Sequence, residues 1–412
     1  MRLVVVTPHF APDVAPTGEV VSRITRELVA QDHRVEVITS LPWYRDHRIE
    51  PGYGGKLVRY EDVPWGRIVR VNPFPAPDKG NIARRAVSFA GFSFASAVLG
   101  GRGEPVDGVL ALSPPLTLGL TGWAIARRRS APLVFNIQDV YPDVAVELGV
   151  LTNARLVSAA HRLERLCYAR ADAVTVLGDD LKENISTRVN HPSKVRVIPN
   201  FVDTEWIAPA PRTNEYRKQH GLSDKFVVMY AGNVGLSQSL DLVIDAAAAL
   251  AHEKEMVFVI NGGGAAKAGL RRRAEGLGNV VFVDMQPAGR LPEVLAAADV
   301  HLVPLKRGLA RSSVPSKTYS ILAAGRPLIA SVDPGSEVAR IVERSGGGIA
   351  VPPEDPEAFT KAVRSLYEQR EQLDAMGTGG RAFAEQWVSP AAVAKQYAEL
   401  FAELNALRGK EV

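Results

Sequence analysis

A lysine and several hydroxyl side chains cluster in residues 313–320, where a loop passes into a helix-like segment. Pro315 suits the first turn of a helix, because its missing N–H would be unpaired there anyway. Ser316, Lys317 and Thr318 would then present free backbone N–H groups, a hydroxyl and an ammonium together. A helix start of this kind attracts anions and suits phosphate. An ordinary capped helix is the alternative interpretation.

The rest of the chain, which must position residues 313–320, alternates between strand-like and helix-like segments. Short apolar strands separated by helices indicate parallel, doubly wound sheets, in which ligands bind at the carboxyl ends of the strands. The sequence therefore predicts an α/β protein with two Rossmann-like domains facing a cleft. The expected strands are residues 3–7, 34–39, 109–112, 133–136, 173–176 and 195–198, and after a restart 226–231, 257–260, 280–283, 300–304 and 349–351.

The domain boundaries follow from a proline-rich join at residues 199–211. Residues 1–203 and residues 204–388 are expected to form the two Rossmann-like domains. The final segment, 389–412, is predicted to be a helix that crosses back onto the first domain.

The composition is that of an ordinary globular protein, with 46% hydrophobic and 23% charged residues among 412. The single cysteine, Cys167, lies in a helical pattern and is expected in the core, and its isolation fits a reducing cytoplasm. No run of eighteen apolar residues occurs. The net charge of +4 permits an anionic partner without naming one, and no nucleic-acid partner is expected.

Several enzyme classes are disfavoured by missing motifs. Neither half carries a G-x-G-x-x-G fingerprint or a Walker motif, which weakens dehydrogenase and kinase interpretations. The chain also lacks a Cys/His cluster with metal spacing. We therefore expect no metal site and no cofactor beyond the substrate.

An apolar stretch at 86–99 lies among arginines. It is too short to span a bilayer, but residues 84–102 could contact an anionic membrane as an interfacial helix. A core helix of the first domain is the alternative. The flanking arginines are Arg84, Arg85, Arg102, Arg127, Arg128 and Arg129.

Three segments resemble those of the retaining glycosyltransferase family four, which has the GT-B fold. Residues 195–203, VRVIPNFVD, are similar to its interdomain signature, and residues 230–241 to the first loop of its nucleotide-sugar domain. Residues 322–330, LAAGRPLIA, match its helix-to-strand segment. Pro-Ser-Lys at 315–317 and IQDVYPD at 137–143 resemble the bacterial subgroup that builds surface polysaccharides and lipid-linked oligosaccharides.

This chain departs from the wider family's pattern at five positions. The family's Glu pair falls on Ser312 and Ser320, and its phosphate-binding Arg and Lys fall on Asn233 and Gln238. Its first-domain histidine falls on Gln138. Lys317 offers a replacement cation, and we interpret the set as a rearranged active site.

The resemblance implies a hexosyltransferase that uses a nucleotide diphosphate sugar, expected to be a UDP-sugar, and retains the anomeric configuration. Catalysis would stabilise the leaving diphosphate, with Lys317 as the main donor. Gly18, Gly262 and Gly263 would let the backbone approach the donor, although each could be a plain turn. The remaining predicted donor contacts are Asn233, Gln238, Met285, Gln286, Arg311, Ser316, Thr318, Tyr319 and Ser320.

On the acceptor side, Gln138 and Asp139 follow a predicted strand at its carboxyl end. Asp139 is the preferred contact or base for the acceptor hydroxyl, and Asp143 is the alternative. Either aspartate could instead simply cap a helix. His9, after the first strand, lines the cleft or packs in a turn. The expected acceptor is a saccharide or polyprenyl-linked precursor on the cytoplasmic face of the plasma membrane.

Two other functions fit part of the sequence. A GT-B-fold UDP-sugar 2-epimerase would share the fold, but its cleft carboxylates and histidines are scarce here. A degenerate nucleotide-sugar-binding protein would explain the substituted positions. The sequence specifies neither the sugar, the acceptor, the linkage nor the oligomeric state.

Overall fold

The computed structural model describes residues 1–13, 15–44, 48–73, 82–147, 151–235, 237–308 and 315–409. The chain divides into two compact units. The first contains residues 1–200 and 393–412, and the second contains residues 201–392.

The first unit is built on an eight-stranded sheet in the order β3-β4-β2-β1-β5-β6-β7-β8. All neighbouring strands pair in parallel except β3, which runs antiparallel to β4 at the edge. The central strands β1 and β5 are largely apolar, as expected for a sheet covered on both faces. The strands are β1 (Arg2–Val6), β2 (Arg34–Ser40), β3 (Val58–Val63), β4 (Gly66–Val71), β5 (Gly108–Ser113), β6 (Leu133–Ile137), β7 (Ala173–Val176) and β8 (Val195–Val197).

Helices connect these strands and cover both faces of the sheet. Successive side chains of β6 show the two faces, because strand residues alternate. Phe135 points toward α3 and α5, whereas Asn136 donates to the Tyr397 hydroxyl of the last helix at 2.9 Å. The helices are α1 (Pro16–Ala30), α2 (Ile82–Gly100), α3 (Leu118–Arg128), α4 (Asp143–Glu147), α5 (Ala154–Arg170), α6 (Asp179–Ser186) and α15 (Pro390–Arg408).

The last helix packs against the first unit, as the fold prediction requires. The Phe401 ring lies so close to Gly108 that a Cβ there would be 2.3 Å from it. The Asn405 amide donates to the Asp107 carbonyl at 2.7 Å. Cys167 is buried in the core between α5 and the sheet, as expected, and burial raises the pKa of its thiol to about 12.

The second unit has a six-stranded, all-parallel sheet in the order β11-β10-β9-β12-β13-β14. Its strands are β9 (Phe226–Ala231), β10 (Met256–Asn261), β11 (Val280–Val283), β12 (Val300–Pro304), β13 (Leu328–Ser331) and β14 (Gly348–Val351). Its helices are α7 (Glu215–Gln219), α8 (Asp241–Ala249), α9 (Lys267–Arg273), α10 (Leu291–Ala296), α11 (Lys317–Ala323), α12 (Glu337–Ser345), α13 (Pro356–Glu368) and α14 (Leu373–Trp387).

The sequence did not predict the β3–β4 hairpin. Its turn is Pro64-Trp65, and Gly66 opens β4 at φ 154°, where a Cβ would collide with the Val35 carbonyl oxygen. β3 alternates partly exposed and exposed residues rather than forming an apolar run. Half of the strand faces water at the sheet edge, so its sequence lacks the buried-strand signal.

Candidate active site

A pocket of about 640 Å³ opens at the carboxyl ends of β9, β10 and β11, beside the start of α11. Its size lies in the range of small-molecule sites. One wall is apolar and the other carries amides, hydroxyls and one ammonium. The lining residues are Ala231, Gly232, Asn233, Gln238, Asn261, Met285, Gln286, Pro287, Ala288, Leu291, Val294, Leu295, Ser316, Lys317 and Ser320.

Lys317 is the positively charged group among the described lining residues, and none of them is acidic. Its Nζ lies 3.8 Å from the centre of the Tyr230 ring, a cation–π contact. A Cβ on Gly232 would be 3.0 Å from the same nitrogen. Within the described part of the chain Lys317 has no ion-pair partner, and burial lowers the pKa of its ammonium to about 7. The pocket therefore holds a poorly compensated cation that an anionic ligand would stabilise.

Two glycines bring the carboxyl ends of β9 and β10 together under this lysine. Gly232 has φ +139° and Gly262 has φ +154°, which side-chain-bearing residues rarely adopt. A Cβ on Gly262 would lie 1.8 Å from the Gly232 carbonyl oxygen. Gly262 and its neighbour Gly263 thus support the loop that lines the pocket, while neither is among the lining residues.

The start of α11 differs from the prediction. The helix begins at Lys317, and Ser316 precedes it in a helical conformation without a side-chain cap. Pro315 therefore precedes the helix, and the Thr318 N–H, expected to be free, donates to the Pro315 carbonyl at 2.9 Å. The side chains of Thr318 and Tyr319 are buried, outside the pocket. Local capping rules locate a helix start only to within a residue or two, which accounts for the shift.

Most of the other predicted donor contacts do line the pocket. Asn233 and Gln238 face it from the loop after β9, and Ser320 lies one turn along α11 from Ser316. The Gln238 side-chain oxygen accepts from the Gly235 N–H at 3.1 Å, which fixes the loop.

Met285 and Gln286 line the opposite side of the pocket, after β11. Met285 is 56% exposed and presents a large apolar surface to the pocket. The Gln286 side chain is engaged with Arg290 and the Asp284 carbonyl. The predicted contact Arg311 lies outside the described residues, as does Ser312.

The structure adds pocket residues that the sequence did not single out. Tyr230 lies beneath Lys317, and its hydroxyl donates to the Asn233 carbonyl oxygen. Asn261, which also lines the pocket, accepts from the Tyr216 hydroxyl at 2.9 Å. Tyr230 belongs to the segment 230–241 that resembles the family, but only its contact with Lys317, which is distant in the sequence, reveals its role. The apolar wall formed by Pro287, Leu291, Val294 and Leu295 had no local signal.

The predicted acceptor-side residues belong to the first unit. The Gln138 amide donates to the Asn136 side chain at 2.7 Å and its oxygen accepts from Asn200 at 2.9 Å. Asn136 in turn bonds Thr175 and Tyr397. Gln138 thus ends a polar chain that connects β6, β7 and α15, and both ends of its amide are occupied.

The two candidate aspartates differ in their environments. Asp139 is exposed and forms no hydrogen bond or ion pair within the described part of the chain, and partial desolvation raises the pKa of its carboxyl. Asp143 instead pairs with Arg188, which also contacts the buried Glu164. Asp139 is therefore the carboxylate left available for a ligand.

Gly18 lies near the start of α1, packed on His9, where a Cβ would be 2.9 Å from the His9 Cβ. The His9 Nδ1 lies 2.6 Å from the Asp13 carboxylate, which also accepts from the Tyr44 N–H. His9 therefore belongs to an ordered loop around Gly18 rather than a simple turn.

Among the described residues, no three His, Cys, Asp or Glu side chains gather as metal ligands.

Comparison with known proteins identifies the class. Residues 17–200 match the glycosyl transferase 4-like domain, and residues 225–369 match the group 1 glycosyl transferases. The chain belongs to the family-four glycosyltransferases of the GT-B fold. This identification does not favour the epimerase alternative.

Named relatives are consistent with that family. The chain is 28% identical over 422 residues to a putative colanic acid biosynthesis glycosyl transferase, WcaI, of Escherichia coli K12, covering 99% of this chain and 100% of WcaI. It is 29% identical over 316 residues to a probable glycosyltransferase, WbjE, of Pseudomonas aeruginosa, covering 74% and 77%. The solved structure of Anabaena HepE in complex with UDP superposes with a TM-score of 0.66 at 15% identity, covering 98% and 100%, and so shares the fold.

Proposed function

We propose that this protein transfers a hexose from a UDP-sugar, with retention of configuration, to a saccharide or polyprenyl-linked acceptor in cell-surface glycan assembly. The observation that carries the proposal is the pocket in which the desolvated Lys317 is the cation. WcaI is named for colanic acid biosynthesis, and HepE is solved with UDP, which supports the glycan and nucleotide assignments.

The two walls of the pocket suit the two ends of such a donor. The apolar wall near Met285 and Leu291 can cover a flat base, and the backbone around Gln286 can hydrogen-bond its edge. The polar wall can hold the ribose through Ser320, a weaker contact than a carboxylate would make. The diphosphate then falls between the loop at Asn233 and the ammonium of Lys317.

Lys317 would act most strongly as the sugar leaves. Breaking the glycosyl–phosphate bond concentrates negative charge on the leaving diphosphate, and a preorganised cation lowers that barrier. The lowered pKa means that Lys317 takes up a proton when the anion binds near or above neutral pH. The Lys317 side chain lies against the Tyr230 ring before the donor arrives, so its nitrogen needs little reorganisation to contact the diphosphate.

The acceptor would be held by the first unit. Asp139 is exposed and its raised carboxyl pKa suits a hydroxyl contact or a base, while Gln138 supports the same strand end. We place the protein in the cytoplasm, on the inner face of the plasma membrane, with residues 84–102 as one contact to anionic lipid. No helix in the described residues is long and apolar enough to cross a bilayer.

A donor and acceptor screen tests the proposed function. UDP-sugars should raise the melting temperature of the protein, and the stabilising donor should release UDP when a polyprenyl diphosphate-linked sugar is added. The anomeric configuration of the product, measured by proton NMR, should match that of the donor. Conversion of the UDP-sugar without acceptor would indicate an epimerase, and stabilisation without any turnover would indicate a binding protein; either result contradicts the proposal.

We expect transfer to be independent of divalent metal. The pocket walls offer no carboxylate to bridge a metal and a diphosphate among the described residues, and Lys317 supplies the positive charge instead. Initial rates in EDTA should equal those in added Mg²⁺. Activity that disappears in EDTA and returns with Mg²⁺ or Mn²⁺ would show this to be wrong, with Asp139 and Asp143 as the first residues to test.

A further inference from the structure

Three neighbouring helices of the first unit share an unusual charge composition. Together α2, α3 and α5 contain eight arginines and a single carboxylate, Glu164. By contrast α15, on the other face of the sheet, is balanced, with Lys395 and Arg408 against Glu399 and Glu403. The imbalance is therefore a property of one helical layer.

The three helices form one continuous layer. The Ser93 hydroxyl of α2 lies 2.8 Å from that of Thr117 at the start of α3. A Cβ on Gly119 of α3 would lie 2.7 Å from the Cys167 Cβ of α5. The Arg170 guanidinium of α5 lies 4.5 Å from the centre of the Trp123 ring of α3. We name this surface, formed by the outer sides of α2, α3 and α5, the basic layer.

The one carboxylate of the layer points inward. The Glu164 side chain has no exposed surface and contacts Arg188, His161 and the Tyr168 hydroxyl. It cannot neutralise the arginines outside.

The outer surface of α5 combines arginine with exposed leucine. Leu156 is 55% exposed and Leu166 is 41% exposed. Among the described residues, the arginines around them form no ion pair. These exposed arginines are Arg155, Arg162, Arg165 and Arg170.

The same combination continues onto the neighbouring helices. Phe94 of α2 is 73% exposed, the largest exposed fraction among the large hydrophobic side chains of the described residues. Arg127 and Arg128 end α3 with exposed side chains. On the inner side of α2, Phe92 and Ser96 are buried, so this helix is core on one side and exposed and apolar on the other.

This chemistry fits an anionic bilayer. Unpaired guanidinium groups bind lipid phosphates, and leucine and phenylalanine between them can enter the acyl boundary. A nucleic acid would supply phosphates to the arginines, but it offers no apolar environment in which the exposed leucines could be buried. We propose that the basic layer docks the protein on anionic membrane, with α5 as its main contact. The inference deepens the proposed membrane location and rests on the proposed function only for its biological setting.

Vesicle flotation tests the proposal without any substrate. Wild-type protein should float with phosphatidylglycerol vesicles and not with phosphatidylcholine vesicles, and the binding should weaken as salt rises above 0.15 M, where the screening length is about 8 Å. Arg162→Glu with Arg165→Glu should weaken partitioning by at least about 30-fold. Leu156→Ser with Leu166→Ser should weaken it while leaving the charge unchanged.

The matched control is Lys361→Glu with Arg364→Glu on α13, an equal charge reversal on an exposed helix of the second unit. This control should float like wild type, and all variants should keep the UDP-induced rise in melting temperature, which separates docking from folding and from donor binding. The proposal would be overturned if the α5 variants floated as well as wild type, or if wild type did not float. It would also be overturned if wild type bound single-stranded RNA in preference to the vesicles.

Discussion

Replacing Lys317 with alanine should reduce kcat/KM for transfer by about 100- to 1000-fold while the protein stays folded. The pocket would lose the cation that contacts the leaving diphosphate, and the described lining residues contain no second one to replace it. Initial rates with the stabilising UDP-sugar, together with the melting temperature, measure the effect.

Lys361→Ala is the matched control, because it removes an exposed lysine on α13 of the same unit. Its rate should equal that of wild type. A Lys317→Ala enzyme within about tenfold of wild type would place the diphosphate elsewhere. Lys317→Arg should also be impaired, since a planar guanidinium does not take the place of the compact ammonium that contacts Tyr230 beside Gly232.

The affinity for a UDP-sugar should fall by about 50-fold between pH 7 and pH 9. The free Lys317 ammonium has a pKa of about 7, so above that pH it is mostly neutral before the donor binds. The bound diphosphate raises that pKa, and each binding event must then recruit a proton, which becomes less available as the pH rises. The diphosphate diester of the donor keeps a constant charge over this range.

Lys317→Met should flatten this pH dependence, because it keeps the apolar stem and removes the titrating group. Dissociation constants from calorimetry at each pH provide the comparison. A wild-type affinity that stays constant to pH 9 would mean that Lys317 either keeps its proton in the free protein or does not contact the ligand.

The parallel sheets could be predicted from the sequence because several interior strands are apolar over most of their length, such as β1 and β9. The edge strand β3 could not be predicted, since Arg59 and Glu61 alternate with its apolar residues and pair with each other at 3.1 Å. The position of β3 in the sheet depends on its pairing with β4 rather than on its own composition.

The parts of the candidate site that could be predicted are those whose residues are neighbours in the sequence. Lys317 and Ser316 lie in one short run, and the loop with Asn233 and Gln238 follows a strand. The contact between Lys317 and Tyr230 joins distant parts of the chain, so only the folded structure shows why this ammonium is desolvated. Gln138 shows the reverse case, because its amide looked available in sequence but is occupied by Asn136 and Asn200.

Proton uptake on UDP binding is the sharpest test of whether Lys317 is the cation of a diphosphate site. Calorimetric titrations at pH 8 in two buffers of different ionisation enthalpy report the number of protons taken up. We expect an uptake close to one proton for wild type and for Lys361→Ala, and none for Lys317→Met. Tight UDP binding by wild type without proton uptake, or equal uptake by Lys317→Met, would contradict it.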